Sequence, residues 1–178
     1  MAYFTTRDVA AVAALSAVWG ILNILISPIF WQVTGMPFIC DLLAFISLIL
    51  VVWWTRKFGS ASLTGLVVTV LTFVLRPGAF YMLAFIVASI LFDVLTRAVG
   101  YRSSFESGLR GPLILVLFST LCAGVAGSII GSLFMGFSTA TAVLTFAGLH
   151  VVGGIIGGTI GAILVGALMR RKVLPSIQ

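Results

Sequence analysis

The stretch "TFVLRPGAFYML", residues 72–83, places one arginine and a Pro-Gly pair between two long apolar runs. Proline lacks an N–H donor and glycine adopts turn conformations readily, so this pair interrupts a helix. The runs on either side of it have the character of membrane helices. The stretch therefore predicts a short turn between two such helices, with Arg76 at the membrane surface.

The composition of the whole chain agrees with this prediction. Of 178 residues, 61% are hydrophobic and 8% are charged, and the mean hydropathy is +1.28. Soluble domains carry roughly 25% charged residues, so this chain has too few polar side chains to cover a water-exposed surface. We predict an integral membrane protein, in which the formal net charge of +6 reflects cytoplasmic loops and not a nucleic-acid surface.

Six apolar segments approach the roughly 20 residues that cross a bilayer as a helix. Prolines lie at or beside several of the proposed boundaries, namely Pro28, Pro37, Pro77 and Pro112. We predict an all-α fold, a polytopic six-transmembrane-helix bundle that forms a single domain over residues 1–178. The predicted helices are 9–27, 38–54, 59–75, 79–99, 112–136 and 143–169.

The basic residues predict the orientation of this bundle. Nine of the ten fall on one side when the connections are assigned alternately to the two faces: Arg7, Arg56, Lys57, Arg97, Arg102, Arg110, Arg170, Arg171 and Lys172. By the positive-inside rule that side is cytoplasmic. Both termini are then predicted to be cytoplasmic in a multi-pass protein of the plasma membrane, and Arg76 is the only external cation.

The remaining polar residues predict a pocket in the outer half of the bundle. An ionisable group deep in a bilayer costs on the order of 2.5–3.5 kcal/mol on insertion scales, so such groups normally face protein or a wet cavity. The predicted polar groups of the pocket are Asn23, Gln32, Asp41, Arg76 and His150, and the predicted aromatic walls are Trp31, Phe38, Phe45 and Tyr81. Trp31 and Gln32 are assigned to the first outer loop.

Each of these residues also has a purely structural interpretation. Arg76 could extend to the interface, Trp31 could belong to an aromatic belt, and Asp41 could cap a helix. His150 could be a hydrogen-bonded packing residue. Asp93 is interpreted as the partner of Arg97, four residues later on the same helix.

Two patterns of small residues predict close helix packing. Gly153, Gly157 and Gly161 recur every four residues, and the preceding helix carries further glycines, so the last two helices are predicted to form a tight pair. Ala10, Ala13, Ala14 and Ala17 form a smooth face on the first helix. That face needs a partner helix, either within the chain or in another subunit.

Common catalytic motifs are missing from the sequence. It contains no G-x-x-x-x-G-K-[ST] phosphate loop, no H-E-x-x-H and no C-x-x-C, and it has one histidine and four acidic residues. We therefore expect no enzyme activity, no metal site and no cofactor. If the protein drives uptake with ATP, the ATPase must be another chain.

Two long stretches resemble the substrate-binding S components of energy-coupling factor (ECF) vitamin transporters. They are "CDLLAFISLILVVWWTRKFGSASLTGLVVTVLTFVLRPGAF", residues 40–80, and "HVVGGIIGGTIGAILVGALMRRK", residues 150–172. The resemblance implies a vitamin-like ligand bound in the outer half, below the connection between the first two helices. It also implies that A-x-x-x-A motifs, here Ala10 with Ala14 and Ala13 with Ala17, dock on a transmembrane T component that acts with two ATPase subunits. In this family the S component topples in the membrane to deliver its ligand.

The ligand and two other functional classes stay open at this point. Asp41 resembles the acid of the thiamin or hydroxymethylpyrimidine subgroup, whereas an external Arg76 suits a carboxylate or phosphate on another vitamin. The single histidine argues against a nickel or cobalt site. The alternatives to transport are a small membrane assembly or scaffold protein and an intramembrane enzyme that uses His150.

Overall fold

The computed structural model describes residues 3–173, and within them the secondary structure is entirely helical. The elements are α1 Thr6–Thr34, α2 Phe38–Thr55, α3 Ser60–Leu75, α4 Met82–Val99, α5 Tyr101–Phe105, α6 Arg110–Ile129, a π-helical turn Ile130–Phe134, and α7 Ala140–Arg170. The predicted all-α class is confirmed.

Five of the helices are long and apolar enough to cross a membrane, by length and composition: α1, α2, α4, α7, and α6 together with the π-helical turn. The remaining apolar helix, α3, has 16 residues. At 1.5 Å per residue it is about 24 Å long, which is shorter than the roughly 30 Å hydrocarbon core. The fold is compatible with a membrane bundle, while the count of six crossings and the location of the termini stay predictions.

The first helix extends beyond its predicted end. Pro28 lies inside α1, which continues to Thr34 and ends at Gly35, whose φ is +66° and whose N–H donates to the carbonyl of Trp31 at 2.8 Å. Proline removes only one helical donor, and the neighbouring hydrogen bonds keep the helix intact. The assignment of Trp31 and Gln32 to a loop is therefore wrong, since both belong to the last turns of α1.

The fifth predicted span also has different limits. It starts at Arg110, so Pro112 lies in the first turn of α6, where a missing N–H leaves no helical bond unmade. It ends in the π-helical turn, in which the N–H of Met135 donates to the carbonyl of Ile130 at 2.8 Å. The predicted cytoplasmic loop before it contains the short helix α5.

Helix α2 occupies the centre of the bundle. It contacts α1, α3, α4, α6 and α7, ten of its eighteen residues are buried, and none is exposed. Such a helix needs to be apolar on every face, which explains its nearly continuous run of hydrophobic residues.

The glycine stripe of α7 lies directly against this central helix. A Cβ at Gly157 would lie 2.7 Å from the carbonyl oxygen of Leu42, and one at Gly153 would lie 2.8 Å from Cβ of Asp41. Both distances are shorter than a van der Waals contact, so only glycine permits this separation of the helices. The sequence predicted the stripe but not α2 as its partner.

The predicted pairing of the last two long helices is confirmed on the adjacent face of α7. A Cβ at Gly158 would lie 2.9 Å from Cβ of Ser119 on α6. A Cβ at Gly127 of α6 would lie 2.8 Å from the Cβ of His150. Helix α7 therefore packs closely against α2 and α6 at the same time.

The two ends of the bundle differ in charge. We call the end formed by residues 35–37, 76–81 and 135–139 the pocket end and the opposite end the basic end. The basic end carries nine of the ten Lys and Arg residues and the pocket end carries Arg76. At the basic end Lys57 Nζ lies 2.7 Å from Asp8 Oδ2, and Arg56 pairs with Glu106.

Asp93 does not pair with Arg97 as the sequence predicted. Its carboxylate accepts hydrogen bonds from the backbone N–H of Ala61 at 3.3 Å and from the N–H and hydroxyl of Ser62 at 2.7 Å each. Helix α3 follows Gly59, which offers no side-chain cap. Its free N–H groups therefore bind a carboxylate from the neighbouring helix α4, a favourable place for a negative charge.

Candidate functional site

A cavity of about 170 Å³ opens at the pocket end. It lies where the end of α1, the start of α2, the α3–α4 turn, the π-helical turn and the first third of α7 come together. Its lining residues are Ser27, Pro28, Trp31, Pro37, Cys40, Arg76, Tyr81, Phe85, Ile130, Met135, Phe146 and His150.

Four of the predicted site residues line this cavity: Trp31, Arg76, Tyr81 and His150. They come from α1, the α3–α4 turn and α7, so the fold brings together side chains that are far apart in sequence. Arg76 is exposed, whereas only 2% of His150 is exposed. The cavity thus combines a cation at its rim with a buried imidazole in its wall.

Behind His150 lies the carboxylate of Asp41. His150 Nδ1 is 2.6 Å from Asp41 Oδ2, and Asp41 is fully buried. The two groups touch without the angles of a hydrogen bond, so the contact is best described as a close polar pair. Asp41 is not among the residues lining the cavity. Asp41 contacts His150, which does line the cavity. Nε2 of His150 has no hydrogen-bond partner among the described residues.

Asn23, like Asp41, does not line the cavity but contacts a residue that does. Its Oδ1 accepts a hydrogen bond from the hydroxyl of Ser27 at 2.7 Å, and its Nδ2 contacts Sδ of Met82 at 3.5 Å. Ser27 lines the cavity, and only 1% of Asn23 is exposed. Asn23 therefore orients a wall residue and joins α1 to α4.

Three predicted residues lie elsewhere. Phe45 is fully buried in the core against Phe92, with ring centroids 6.1 Å apart. Phe38 packs edge-on against Phe30 at 4.8 Å, and Gln32 is exposed on α1. Because α2 is central, Phe45 fills the interior of the bundle instead of facing the cavity, while Phe38 is half-buried against α1.

Phe146 is a wall residue that the sequence analysis missed. Its ring lies edge-on to His150 at 4.9 Å and to Trp31 at 6.2 Å. Residues four apart share a helix face, so the position of Phe146 four residues before His150 was a usable signal. The three rings form a continuous aromatic wall from the rim to the buried imidazole.

The π-helical turn contributes to the wall beside Phe146, since a Cβ at Gly131 within the turn would lie 3.4 Å from the Phe146 ring. Ile130 begins it and Met135 follows it, and both line the cavity. An i→i+5 turn widens the helix locally, and such turns occur frequently at functional sites. Neither residue has a polar group that sequence analysis would select.

This arrangement suits a small, flat, partly polar ligand. Aromatic edges and faces hold a ring, the imidazole of His150 is a polar group in the wall, and Arg76 offers a charge at the rim. Ligand pockets commonly measure about 300–1,000 Å³, and this cavity is smaller. A vitamin-sized molecule would therefore fit only if the pocket end opens or if the ligand extends past the rim.

Residues 3–173 leave most of the alanine face of α1 uncovered. Ala10, Ala13 and Ala14 are exposed and Ala17 is half-buried. No helix of the described residues covers the first three positions. The face lies toward the basic end, away from the cavity.

Comparison of this chain with protein-family models, with curated proteins and with solved structures found no match. Among residues 3–173, no group of three or more His, Cys, Asp or Glu side chains is placed to hold a metal ion.

Proposed function

We propose that this chain is the substrate-binding S component of an ECF-type importer, which captures a vitamin or vitamin precursor from outside the cell. The observation that supports this proposal best is the cavity at the pocket end. There Trp31, Arg76, Tyr81 and His150 converge from distant parts of the sequence around an opening with aromatic walls. A mostly apolar concave site with few polar groups is the usual form of a small-molecule site.

The charge asymmetry supports an outward-facing site. Nine of the ten basic residues lie at the basic end, which the positive-inside rule assigns to the cytoplasm. In this orientation the cavity opens toward the exterior of the plasma membrane, as capture of an external solute requires.

The position of Asp41 refines the choice of ligand. A carboxylate can bind an aminopyrimidine or a thiazolium, which favours a thiamin-related ligand. Since His150 lies between Asp41 and the cavity, the ligand would meet the imidazole first, and Asp41 would fix the orientation of that imidazole. Thiamin and hydroxymethylpyrimidine stay first in a binding panel that also includes riboflavin and biotin.

The exposed alanine face supports a separate partner. Small residues four apart allow a helix of another subunit to approach closely, and Ala10 and Ala14 provide such a surface at the basic end. The proposed partner is a T component, which would act with two ATPase subunits in delivery of the ligand by toppling.

Ligand binding tests the proposal directly. We expect purified protein in detergent to bind one member of the vitamin panel with one-to-one stoichiometry in calorimetry. Trp31→Ala should weaken this binding at least tenfold because it removes part of the aromatic wall. Ile29→Ala is a matched control, since Ile29 is on the same helix, is 64% exposed and does not line the cavity. Absence of binding across the panel would favour the assembly or scaffold alternative.

Docking is tested separately with Ala14→Trp. We expect this variant to lose co-purification with the T component while its ligand affinity stays unchanged, because the cavity lies at the other end of the bundle. Leu121→Trp on α6 is the control, since Leu121 is also exposed and is not on the alanine face. If both variants retain the T component, the alanine face is not the docking surface.

A further inference from the structure

A second open space lies at the basic end, on the outer surface of the α6–α7 pair. It is a groove of about 680 Å³. The residues lining it are Pro112, Leu113, Val116, Thr159, Ala162, Ile163, Gly166, Ala167, Arg170 and Arg171. Leu113 and Ile163 are 69% and 65% exposed. Exposed apolar side chains on a membrane bundle normally contact lipid chains.

The groove has the length of one leaflet. Thr159 and Arg170 mark its two ends on α7, a separation of about 17 Å at 1.5 Å per residue. Half of a hydrocarbon core of roughly 30 Å is about 15 Å. A single acyl chain could therefore lie along the groove with its headgroup at the arginines.

Small side chains keep the groove open. A Cβ at Gly166 would meet no other atom within 4 Å. Gly166 and Ala162 also border a neighbouring cavity of about 290 Å³, which extends toward Phe105 under α5. The surface between α6 and α7 is thus concave over its whole cytoplasmic half, with room for more than one hydrocarbon chain.

Three of the nine basic residues at the basic end form ion pairs among residues 3–173, and the two arginines at the mouth of the groove, like Arg7, Arg97, Arg110 and Lys172, do not. Arg56 and Arg102 pair with Glu106, and Lys57 pairs with Asp8. No acidic side chain of residues 3–173 forms an ion pair with Arg170 or Arg171. Two arginines without acidic partners above an apolar groove complement a molecule with one anionic head and apolar chains.

We propose that this groove binds one anionic phospholipid of the cytoplasmic leaflet. Its acyl chain lies between α6 and α7, and its phosphate binds Arg170 and Arg171. Guanidinium groups match phosphate oxygens with two parallel hydrogen bonds, and basic pockets between helices on the cytoplasmic side are suited to anionic headgroups. The site is separate from the cavity at the pocket end and does not depend on the proposed transport function.

The test compares thermal stability in two kinds of nanodisc, one of phosphatidylcholine alone and one with a minority of phosphatidylglycerol. We expect phosphatidylglycerol to raise the melting temperature of the unmodified protein by several degrees. We also expect native mass spectrometry to detect one retained phosphatidylglycerol. The double variant Arg170→Gln/Arg171→Gln and the groove-filling variant Gly166→Leu should each lose most of this shift and the retained lipid.

Two matched controls distinguish a specific lipid site from a general effect of surface charge or of any substitution on the melting-temperature shift. Arg97→Gln removes an exposed arginine at the same end but outside the groove, and Gly148→Leu adds a side chain at the pocket end of α7, where nothing lies within 4 Å. Both should keep the full shift. An equal loss in Arg97→Gln would indicate diffuse surface charge and would overturn the proposal. So would an unchanged shift and lipid count in Gly166→Leu.

Discussion

Nδ1 of His150 on α7 lies 2.6 Å from Oδ2 of Asp41 in the first turn of α2. Both side chains are almost completely buried, so each depends on the other to offset the loss of hydration. A buried polar group left without a partner typically costs about 1–3 kcal/mol, so removal of either member should destabilise the protein. The pair therefore joins two helices, and His150, its one member that lines the cavity, is part of the cavity wall.

Replacement of His150 by Leu should strongly destabilise the protein. It leaves the Asp41 carboxylate buried among apolar groups, and we expect a large fall in the melting temperature in detergent. The double variant His150→Leu/Asp41→Leu should recover part of this loss, because no polar group is then left buried without a partner. If the effects of the two substitutions simply add, then Asp41 and His150 are not energetically coupled.

Replacement of Gly157 by Ala should separate α7 from α2. The new methyl group would lie 2.7 Å from the carbonyl oxygen of Leu42, and overpacking of this kind typically costs about 1–3 kcal/mol. Gly148→Ala is the control, since it meets no atom within 4 Å, and alanine is a better helix former than glycine by about 1 kcal/mol. Thermal unfolding should show a lower melting temperature for the first variant and an equal or higher one for the second.

Asp93→Ala should destabilise the start of α3. It removes the acceptor of the N–H groups of Ala61 and Ser62, and the loss of a helix cap typically costs about 1–2 kcal/mol. Arg97→Gln should have almost no effect on stability, because Arg97 does not bind Asp93 in this fold. A comparable loss of melting temperature in both variants would support the pairing that the sequence suggested.

We expect Glu106 to make the stability of the fold slightly dependent on pH. Its hydrogen bond with Arg56 lowers the pKa of the Glu106 carboxyl below its usual value. Because the folded-state pKa is lowered, the stabilisation by the Arg56–Glu106 pair is complete above the unfolded pKa of about 4.3. It is lost as the pH falls through the folded-state pKa. The difference in melting temperature between neutral and acidic buffer should be smaller in Glu106→Gln than in the unmodified protein. Equal differences would show that the pair contributes nothing to stability.

The sequence predicted the end of the bundle at which a residue lies better than the direction in which its side chain points. Depth along each helix follows from counting residues, so Arg76, Tyr81 and His150 could be assigned to one end. The direction in which each side chain points depends on which helix becomes central. Phe45 lies at the right depth but faces the core, because α2 is surrounded by the other helices.

Contacts between segments that are distant in sequence account for the remaining differences between the predictions and the structure. Asp93 and Arg97 have the spacing of a helical pair, but the uncapped start of α3 offers Asp93 two backbone donors in a buried place. The π-helical turn at Ile130 likewise depends on packing that no local pattern encodes. Pro28 is not a helix boundary, since one missing donor does not end α1.

The glycine stripe restricts how the cavity can change shape. Helices α2 and α7 touch almost backbone to backbone, and they carry Asp41 and His150 between them, so any separation would break the polar pair and the glycine contacts together. These two helices form the fixed frame of the pocket end. Access for a larger molecule must come from the opposing parts, which are the last turns of α1, the turn at Arg76 and the segment after the π-helical turn.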